Sequence, residues 1–142
     1  MRLSAGKRKI SKMGQTIYKV LTGDQWAAAE AGEPVQAPVD VSDGFVHFST
    51  GAQLQETLSK WFKGQEGCVL AAFDAEEFER ELKWEKSRGG DLFPHVYGIV
   101  RAGQAQALWL LEMGEDGAPL APDEVVHGSR AHPGGAKAGT IS

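Results

Sequence analysis

The residues best suited to chemistry in this 142-residue chain lie in one short stretch, from Lys83 to Gly98. A carboxylate, a hydroxyl, a guanidinium, an imidazole and a phenol occur there within thirteen positions, at Glu85, Ser87, Arg88, His95 and Tyr97. The consecutive glycines Gly89 and Gly90 allow a ligand to approach the backbone, and Pro94 fixes the chain just before the imidazole. Polar groups on such a constrained turn indicate a binding site. The alternative is a structural turn whose polar residues are incidental.

A second group of polar residues precedes this stretch. Residues 45–49 alternate as a β-strand, which places Phe45, His47 and Ser49 on one face. Taken alone, His47 is interpreted as a partly buried, hydrogen-bonded core histidine. Taken with the later stretch, it predicts one cleft lined by His47, Glu85 and His95, with Lys19 or Arg88 at its mouth. The full candidate set comes from three separated segments and comprises Lys19, His47, Ser49, Thr50, Glu85, Ser87, Arg88, His95 and Tyr97.

Several chemistries are excluded by motifs that the sequence lacks. Its four histidines and single cysteine show no metal-ligand spacing, so we expect no metal site. There is no Walker-type phosphate loop, no strand–Gly-x-Gly-x-x-Gly–helix unit and no serine hydrolase elbow. Cys68 begins an apolar run, which indicates a buried, inert thiol rather than a nucleophile.

The net charge of −4 is distributed unevenly along the chain. Residues 1–13 hold five basic residues and no acid, and residues 127–142 hold two basic residues, so residues 14–126 carry −11. A region that acidic repels polyanions, which argues against an extended nucleic-acid partner. No apolar run reaches membrane-spanning length, and one cysteine fits a reducing compartment. We therefore expect a cytoplasmic protein, not bound to a membrane, whose partner is a small molecule.

The same distribution predicts the domain organisation. Residues 14–126 are expected to form a single globular domain. Residues 1–13 are interpreted as a disordered basic extension, and residues 127–142 as a flexible tail. We expect both ends to be removable with little loss of stability, because neither has a periodic apolar pattern.

Strand and helix signals together predict an α+β domain. Residues 16–22 predict a first strand, Asp24 the N-cap of a short helix ending near Gly32, and residues 33–41 a loop. Residues 51–62 predict an amphipathic helix capped by Ser49 or Thr50, whose buried stripe comprises Leu54, Leu58, Trp61 and Phe62. Residues 68–73 predict a central strand and residues 74–81 a short acidic helix. Further extended segments are expected at 82–85, 96–100 and 107–111, the last of them buried.

Two motifs resemble the signature of a small bacterial family. They are Asp43-Gly44-Phe45-x-His47-x-Ser49-Thr50 and Phe93-Pro94-His95-x-Tyr97-Gly98, joined by Trp84-Glu85-x-Ser87-x-Gly89-Gly90. The family is known as domain of unknown function nine-five-two, and the resemblance covers roughly residues 16–112. It implies no activity, because none is established for the family.

The family's fold is in turn similar to that of ADP-ribosyltransferases, including the NAD-dependent RNA 2′-phosphotransferases. That similarity implies two packed, antiparallel-rich sheets, two to three short helices and a cleft that binds NAD. It places Tyr18-Lys19 on the first strand, His47 with Ser49-Thr50 on the second, and Glu85 at the position of a late acid. Lys19 departs from the family pattern, which has histidine or arginine there, and lysine lacks the planar fork of arginine.

The resemblance implies binding of a nucleotide-type molecule, with ADP-ribosyl or related group transfer and NAD as a possible cofactor. Glu85, His47 and His95 are then the catalytic candidates. Arg88 and the amides of Gly89 and Gly90 would hold a pyrophosphate, while Phe93 or Tyr97 would stack on a base. The alternative is a non-catalytic sensor or interaction domain that retains the cleft. RNA 2′-phosphotransfer is disfavoured by the acidic central region.

Overall fold

The computed structural model describes residues 15–87 and 90–127. These residues form two three-stranded antiparallel sheets with short helices, so the predicted α+β class is confirmed. The strands are β1 (Thr16–Leu21), β2 (Val46–His47), β3 (Val69–Asp74), β4 (Leu82–Lys86), β5 (Leu92–Val96) and β6 (Ala107–Leu110). The α-helices are α1 (Gly23–Glu30), α2 (Pro38–Asp43), α3 (Gly51–Trp61) and α4 (Asp123–Val126), and 3-10 turns occur at Ala75–Phe78 and Ala102–Gln104.

The first sheet has the order β1-β3-β6, with β3 in the centre. Leu70, Ala71 and Phe73 of β3 are fully buried, since the strand has core on both faces. Phe73 packs with Ile17 on one face, whereas Leu70 packs with Tyr18 on the other. The predicted central strand is therefore confirmed, shifted by one residue.

The strand β6 is an edge strand, and its predicted burial is wrong. Leu108 and Leu110 are 47% and 74% exposed, and Trp109 is the half-buried residue between them. An apolar run indicates extended structure but does not reveal whether other elements will cover it.

The second sheet has the order β2-β5-β4 and presents two different faces. Val46 and Val96 are buried in the core on one face, and Leu82 packs against them. His47 and His95 lie on the opposite face, because side chains alternate along a strand. This second face is the polar one on which the candidate residues meet.

The central strand β5 contains a proline. Pro94 pairs with Trp84, and its carbonyl accepts a hydrogen bond of 3.0 Å from the backbone N–H of Phe48. Proline is rare in central strands because it cannot donate to the ladder. Because Pro94 favoured a turn, the extended segment was predicted to follow it, at residues 96–100. That prediction is wrong, since the strand begins at Leu92 and ends at Val96.

The two sheets are joined at one backbone bridge and share a core. Tyr18 and Ser49 exchange both backbone hydrogen bonds, at 2.8 and 2.9 Å. Beneath this bridge, the rings of Phe48, Phe73 and Phe78 lie within 6.1 Å of one another. Movement of one sheet relative to the other would disrupt both the backbone bridge and the phenylalanine cluster, so these contacts hold the second sheet in place.

The helix ends depend on hydroxyl side chains. Thr50 caps α3 by accepting from the N–H of Gln53, as predicted. Thr22 caps α1 through the N–H of Gln25, so the assignment of Asp24 as the N-cap was wrong: the threonine and glutamine form a reciprocal capping box that begins two residues earlier. Asp24 lies in the first turn, where its charge suits the helix dipole.

Two other helix predictions need correction. Leu54 and Leu58 of α3 are fully buried, but Trp61, the last residue of the helix, is 63% exposed. The segment from 74 to 81 forms only a 3-10 turn, in which the side chain of Asp74 accepts from the N–H of Glu76. That short side-chain bond favours a tight turn over a longer helix.

Most of the helix α2 lies in the segment 33–41, which was predicted as a loop because it contains Pro34 and Pro38. Pro38 occupies its first position, where a missing N–H costs nothing. Gly44 ends the helix at a φ of 87°, and the chain then enters β2 directly. This helix determines the environment of His47, as described below.

Gly51 lies where α3 approaches α4, and we expect Gly51→Ala to destabilise the protein. A Cβ at this position would overlap the backbone carbonyl oxygen of Val125, which cannot rotate away. Overpacking of this kind costs about 1–3 kcal/mol of unfolding free energy. Gly103→Ala is the matched control, because nothing lies within 4 Å of its added methyl group. Urea denaturation measures both variants, and equal midpoints would contradict the close approach.

Within the described ranges, no helix is both long and apolar enough to cross a membrane. The predicted basic extension and most of the predicted tail lie outside the described residues, so their removal remains an untested prediction.

Candidate functional site

Two histidines face each other across neighbouring strands of the second sheet. His47 of β2 pairs in register with His95 of β5, and their ring centroids are 5.2 Å apart. Glu85 of β4 pairs with Phe93, two residues from His95, so its side chain lies on the same face. We call Phe45, His47, Glu85, His95 and Tyr97 the histidine face. Four of these five residues are candidates named from the sequence.

Glu85 connects His95 to Tyr97. One of its oxygens, Oε1, lies 2.8 Å from His95 Nδ1 and accepts a hydrogen bond of 2.8 Å from the Tyr97 hydroxyl. The hydrogen bond with His95, and then that with Tyr97, lower the pKa of Glu85. The same bond to Glu85 raises the pKa of Tyr97. Lys83 adds a positive charge, with its Nζ 5.0 Å from the centre of the Tyr97 ring.

His47 is held by a carboxylate that the sequence did not indicate. Its Nδ1 lies 2.6 Å from Asp40 Oδ1, and its Nε2 lies 3.0 Å from Asp43 Oδ2. Both acids belong to α2, the helix predicted as a loop. The available signal was Pro38 followed two residues later by an acid, a pattern typical of the first turn of a helix.

Asp40 is buried and uses both oxygens fully. Oδ1 accepts a hydrogen bond of 3.0 Å from the backbone N–H of His47 and also contacts Nδ1 of its ring. Oδ2 accepts from Lys19 Nζ and from the backbone N–H of Ala37, both at 2.7 Å. Burial alone would raise the pKa of Asp40, but the His47 hydrogen bond and the charge of Lys19 lower it to about 2. Asp40 is therefore ionised inside the protein.

Lys19 is buried and so does not lie at the mouth of a cleft, whereas Arg88, the alternative expected there, lies outside the described residues. Only 4% of Lys19 is exposed, and its Nζ donates to the backbone carbonyl of His47 at 3.0 Å. Burial lowers the pKa of Lys19, although the charge of Asp40 opposes this shift. The lysine thus links β2 to α2 through the His47 carbonyl and Asp40.

Acid should weaken the protein through Asp40. A folded pKa of about 2, below the ordinary value of 3.8, means that this group stabilises the fold above about pH 4. The contribution, about 2 kcal/mol in unfolding free energy, is lost as the pH falls through the folded value. We expect the stability difference between wild type and Asp40→Asn to shrink between pH 5 and pH 2.5, as measured by urea denaturation. A constant difference would contradict the lowered pKa.

Phe45 lies at the centre of the histidine face. Its ring stacks on His95 at 4.3 Å and 27°, and lies 4.5 Å from His47 and 5.0 Å from Tyr97. Strand alternation had placed Phe45 beside His47, but its contacts with β5 depend on the sheet register. The ring excludes water between the two histidines and restricts their orientations.

The remaining candidates have structural contacts. Ser49 Oγ bonds to Thr57 Oγ1 at 3.0 Å and is buried, and Thr50 caps α3. The N–H of Ser87 donates to the carbonyl of Asp91, and the N–H of Gly90 donates to the carbonyl of Ser87, so Ser87 and Gly90 have backbone contacts of their own. Arg88 and Gly89 lie outside the described residues. Within residues 15–87 and 90–127, no group of three potential ligand side chains could hold a metal ion.

This arrangement is suited to proton transfer. A carboxylate that orients a histidine ring through one nitrogen leaves the other nitrogen to exchange a proton with a bound molecule. The histidine face has this arrangement at Glu85–His95, next to aromatic surfaces.

The model of a protein family described as "Protein of unknown function (DUF952)" matches residues 20–109. The chain belongs to this family. The match runs from the end of β1 through most of β6, and therefore includes the whole histidine face. The family resemblance seen in the sequence motifs is confirmed.

Solved structures of a second protein are similar over most of the chain. The crystal structure of protein CC0527 from Caulobacter crescentus is 42% identical, with a TM-score of 0.74, covering 78% of this chain and 97% of that one. The crystal structure of a double mutant of CC0527 gives 41% identity and the same TM-score. The solution NMR structure of CC0527 gives 41% identity and a TM-score of 0.70. No curated protein matches the chain. The similarity establishes the DUF952 fold, whereas the expected likeness to ADP-ribosyltransferases remains a prediction.

Proposed function

We propose that the histidine face binds a nucleotide-type small molecule, such as NAD or ADP-ribose, and transfers its ribosyl group to an acceptor. The observation that carries the proposal is the hydrogen-bonded series from the buried His95 through Glu85 to the exposed Tyr97 on one face of the second sheet. Burial of apolar surface does not require such a series. Its three groups supply a base, an anion and an aromatic ring within one small area.

The aromatic residues support binding of a planar ring. Tyr97 is 39% exposed, and Phe93 of the same strand is half-buried on the same face. An adenine or nicotinamide ring can stack on such a surface, at about 1–3 kcal/mol per base. Lys83, close to Tyr97, provides a cation for a phosphate.

The carboxylate supports chemistry at the ribose. Cleavage of the nicotinamide–ribose bond passes through an oxocarbenium-like species, as glycoside cleavage does. Glu85 uses Oε1 for its two hydrogen bonds, and its Oε2 has no partner among the described residues. This second oxygen can bind a ribose hydroxyl and stabilise the developing positive charge.

The second candidate is a sensor or interaction domain that binds the same ligand without reaction. Its supporting observation is Lys19, which is buried against Asp40 and provides no cation on the ligand side of the first strand. The acidic central region keeps the proposed ligand small rather than an extended nucleic acid. The proposed compartment is the cytoplasm, because the single cysteine is free and buried.

A thermal-shift screen with NAD, ADP-ribose, AMP and a sugar phosphate tests ligand binding. A ligand at a hundred times its dissociation constant adds about 2.7 kcal/mol to the unfolding free energy. A nicotinamide-release assay with NAD then separates the candidates. Binding with release supports transfer, binding without release supports the sensor, and no stabilisation by any of the four compounds would contradict both.

A further inference from the structure

The two histidines differ in what their ring nitrogens contact. In His47 both nitrogens face carboxylate oxygens, Nδ1 toward Asp40 at 2.6 Å and Nε2 toward Asp43 at 3.0 Å. An ionised carboxylate only accepts hydrogen bonds, so both contacts are favourable only when both nitrogens carry a proton. A neutral ring would direct one lone pair at a carboxylate.

His95 has one such contact instead of two. Its Nδ1 lies 2.8 Å from Glu85 Oε1, and its Nε2 has no hydrogen-bond partner among the described residues. Glu85 also accepts from the Tyr97 hydroxyl and so acts as an ionised acceptor. A neutral His95 with its proton on Nδ1 satisfies this geometry and leaves a lone pair on Nε2.

We infer that the two histidines have separate roles: His95 exchanges a proton through Nε2, and His47 is a positioning residue whose two ring nitrogens both carry a proton. For its reaction this inference rests on the proposed ribosyl transfer. As the acceptor's nucleophile bonds to the ribose carbon, its proton passes to His95 Nε2, and nicotinamide leaves with the electron pair of the broken bond. His95 becomes an imidazolium held by Glu85.

The charges around each ring support this separation. His47 is surrounded by Asp40 and Asp43 of α2, and Lys19 of β1 reaches it through Asp40 and its own carbonyl. With His47 protonated, these four groups have no net charge. The ring of His95 contacts Glu85 of β4, which also bonds to Tyr97. Lys83 of β4 is the residue paired with His95 in the sheet, and the ring centroid of His47 is 5.2 Å from that of His95. A second permanent cation beside Lys83 and His47 would be unfavourable.

Nitrogen NMR of the imidazole rings tests the proton positions without any ligand. We expect long-range ¹H–¹⁵N spectra of the ¹⁵N-labelled full chain at pH 7 to show both His47 nitrogens protonated. For His95 we expect a protonated Nδ1 and a bare Nε2. The variants His47→Gln and His95→Gln assign the signals. An unprotonated ring nitrogen in His47, or a proton on Nε2 of His95, would overturn the inference.

Matched variants test the roles in turnover. His95→Gln should lower nicotinamide release by about a hundredfold or more and remove the limb of the pH–rate profile that reports its titration. His47→Gln, assayed below its melting temperature, should lower the rate less than His95→Gln does and should retain that limb. The reverse ranking would overturn the assignment. Absence of turnover in the wild type would reject the proposed transfer, and the NMR result would still decide where the protons lie.

Discussion

Asp40→Asn should lower the unfolding free energy by about 3–5 kcal/mol, the cost of breaking a buried ion pair from one side. Lys19 would keep its charge in the interior with no anion, since Asp40 Oδ2 is its salt-bridge partner at 2.7 Å. The new amide would also direct N–H groups toward the donors of Lys19 or His47. For a domain of this size, the loss corresponds to a fall of roughly 10–20 °C in melting temperature. Urea denaturation at pH 7 gives the free energy directly.

Two variants show whether the buried pair is the cause. Asp43→Asn removes the neighbouring acid, whose side chain is 44% exposed, and should cost less than about 1 kcal/mol. The double variant Lys19→Met with Asp40→Asn removes both charges and should recover part of the loss, because no unpaired charge stays buried and the amide oxygen can still accept from a backbone N–H. If Asp40→Asn alone cost under 1 kcal/mol, Lys19 would have to reach water, contrary to its burial.

Glu85→Gln should lower the rate of nicotinamide release by about a hundredfold or more while leaving the affinity for NAD nearly unchanged. The reason is that the carboxylate stabilises positive charge that develops only in the transition state. The glutamine can still accept one hydrogen bond from His95 or Tyr97, but it carries no charge. Steady-state kinetics with binding measured in parallel separates these effects: the loss should occur in kcat rather than in KM.

Glu66→Gln is the charge-matched control, since Glu66 is exposed on the loop between α3 and β3, away from the histidine face. It should leave the rate of nicotinamide release unchanged. An equal loss in both variants would point to overall charge. A Glu85→Gln variant with full activity would remove this residue from the mechanism and favour a role in fixing His95.

The sequence by itself determined the features that depend on local pattern. The apolar run at 68–73 predicted a central strand, because only a strand covered on both faces can use such a run. Alternation along residues 45–49 placed Phe45 and His47 on one face and the core residues on the other. The motifs around His47 and His95 identified the family and named four residues of the histidine face.

Only the tertiary structure decided which distant groups meet. Asp40 reaches His47 because Pro38 begins a helix rather than prolonging a loop, and helix propensity over six residues is too weak to predict this. Whether Lys19 would reach solvent or lie buried depended on that same helix, since an anion beneath the sheet makes its burial tolerable. Trp61 and Leu110 carry the same apolar signal as core residues, yet they are 63% and 74% exposed. Local pattern determines which way a side chain points within its own element. The elements that pack against it determine what it contacts.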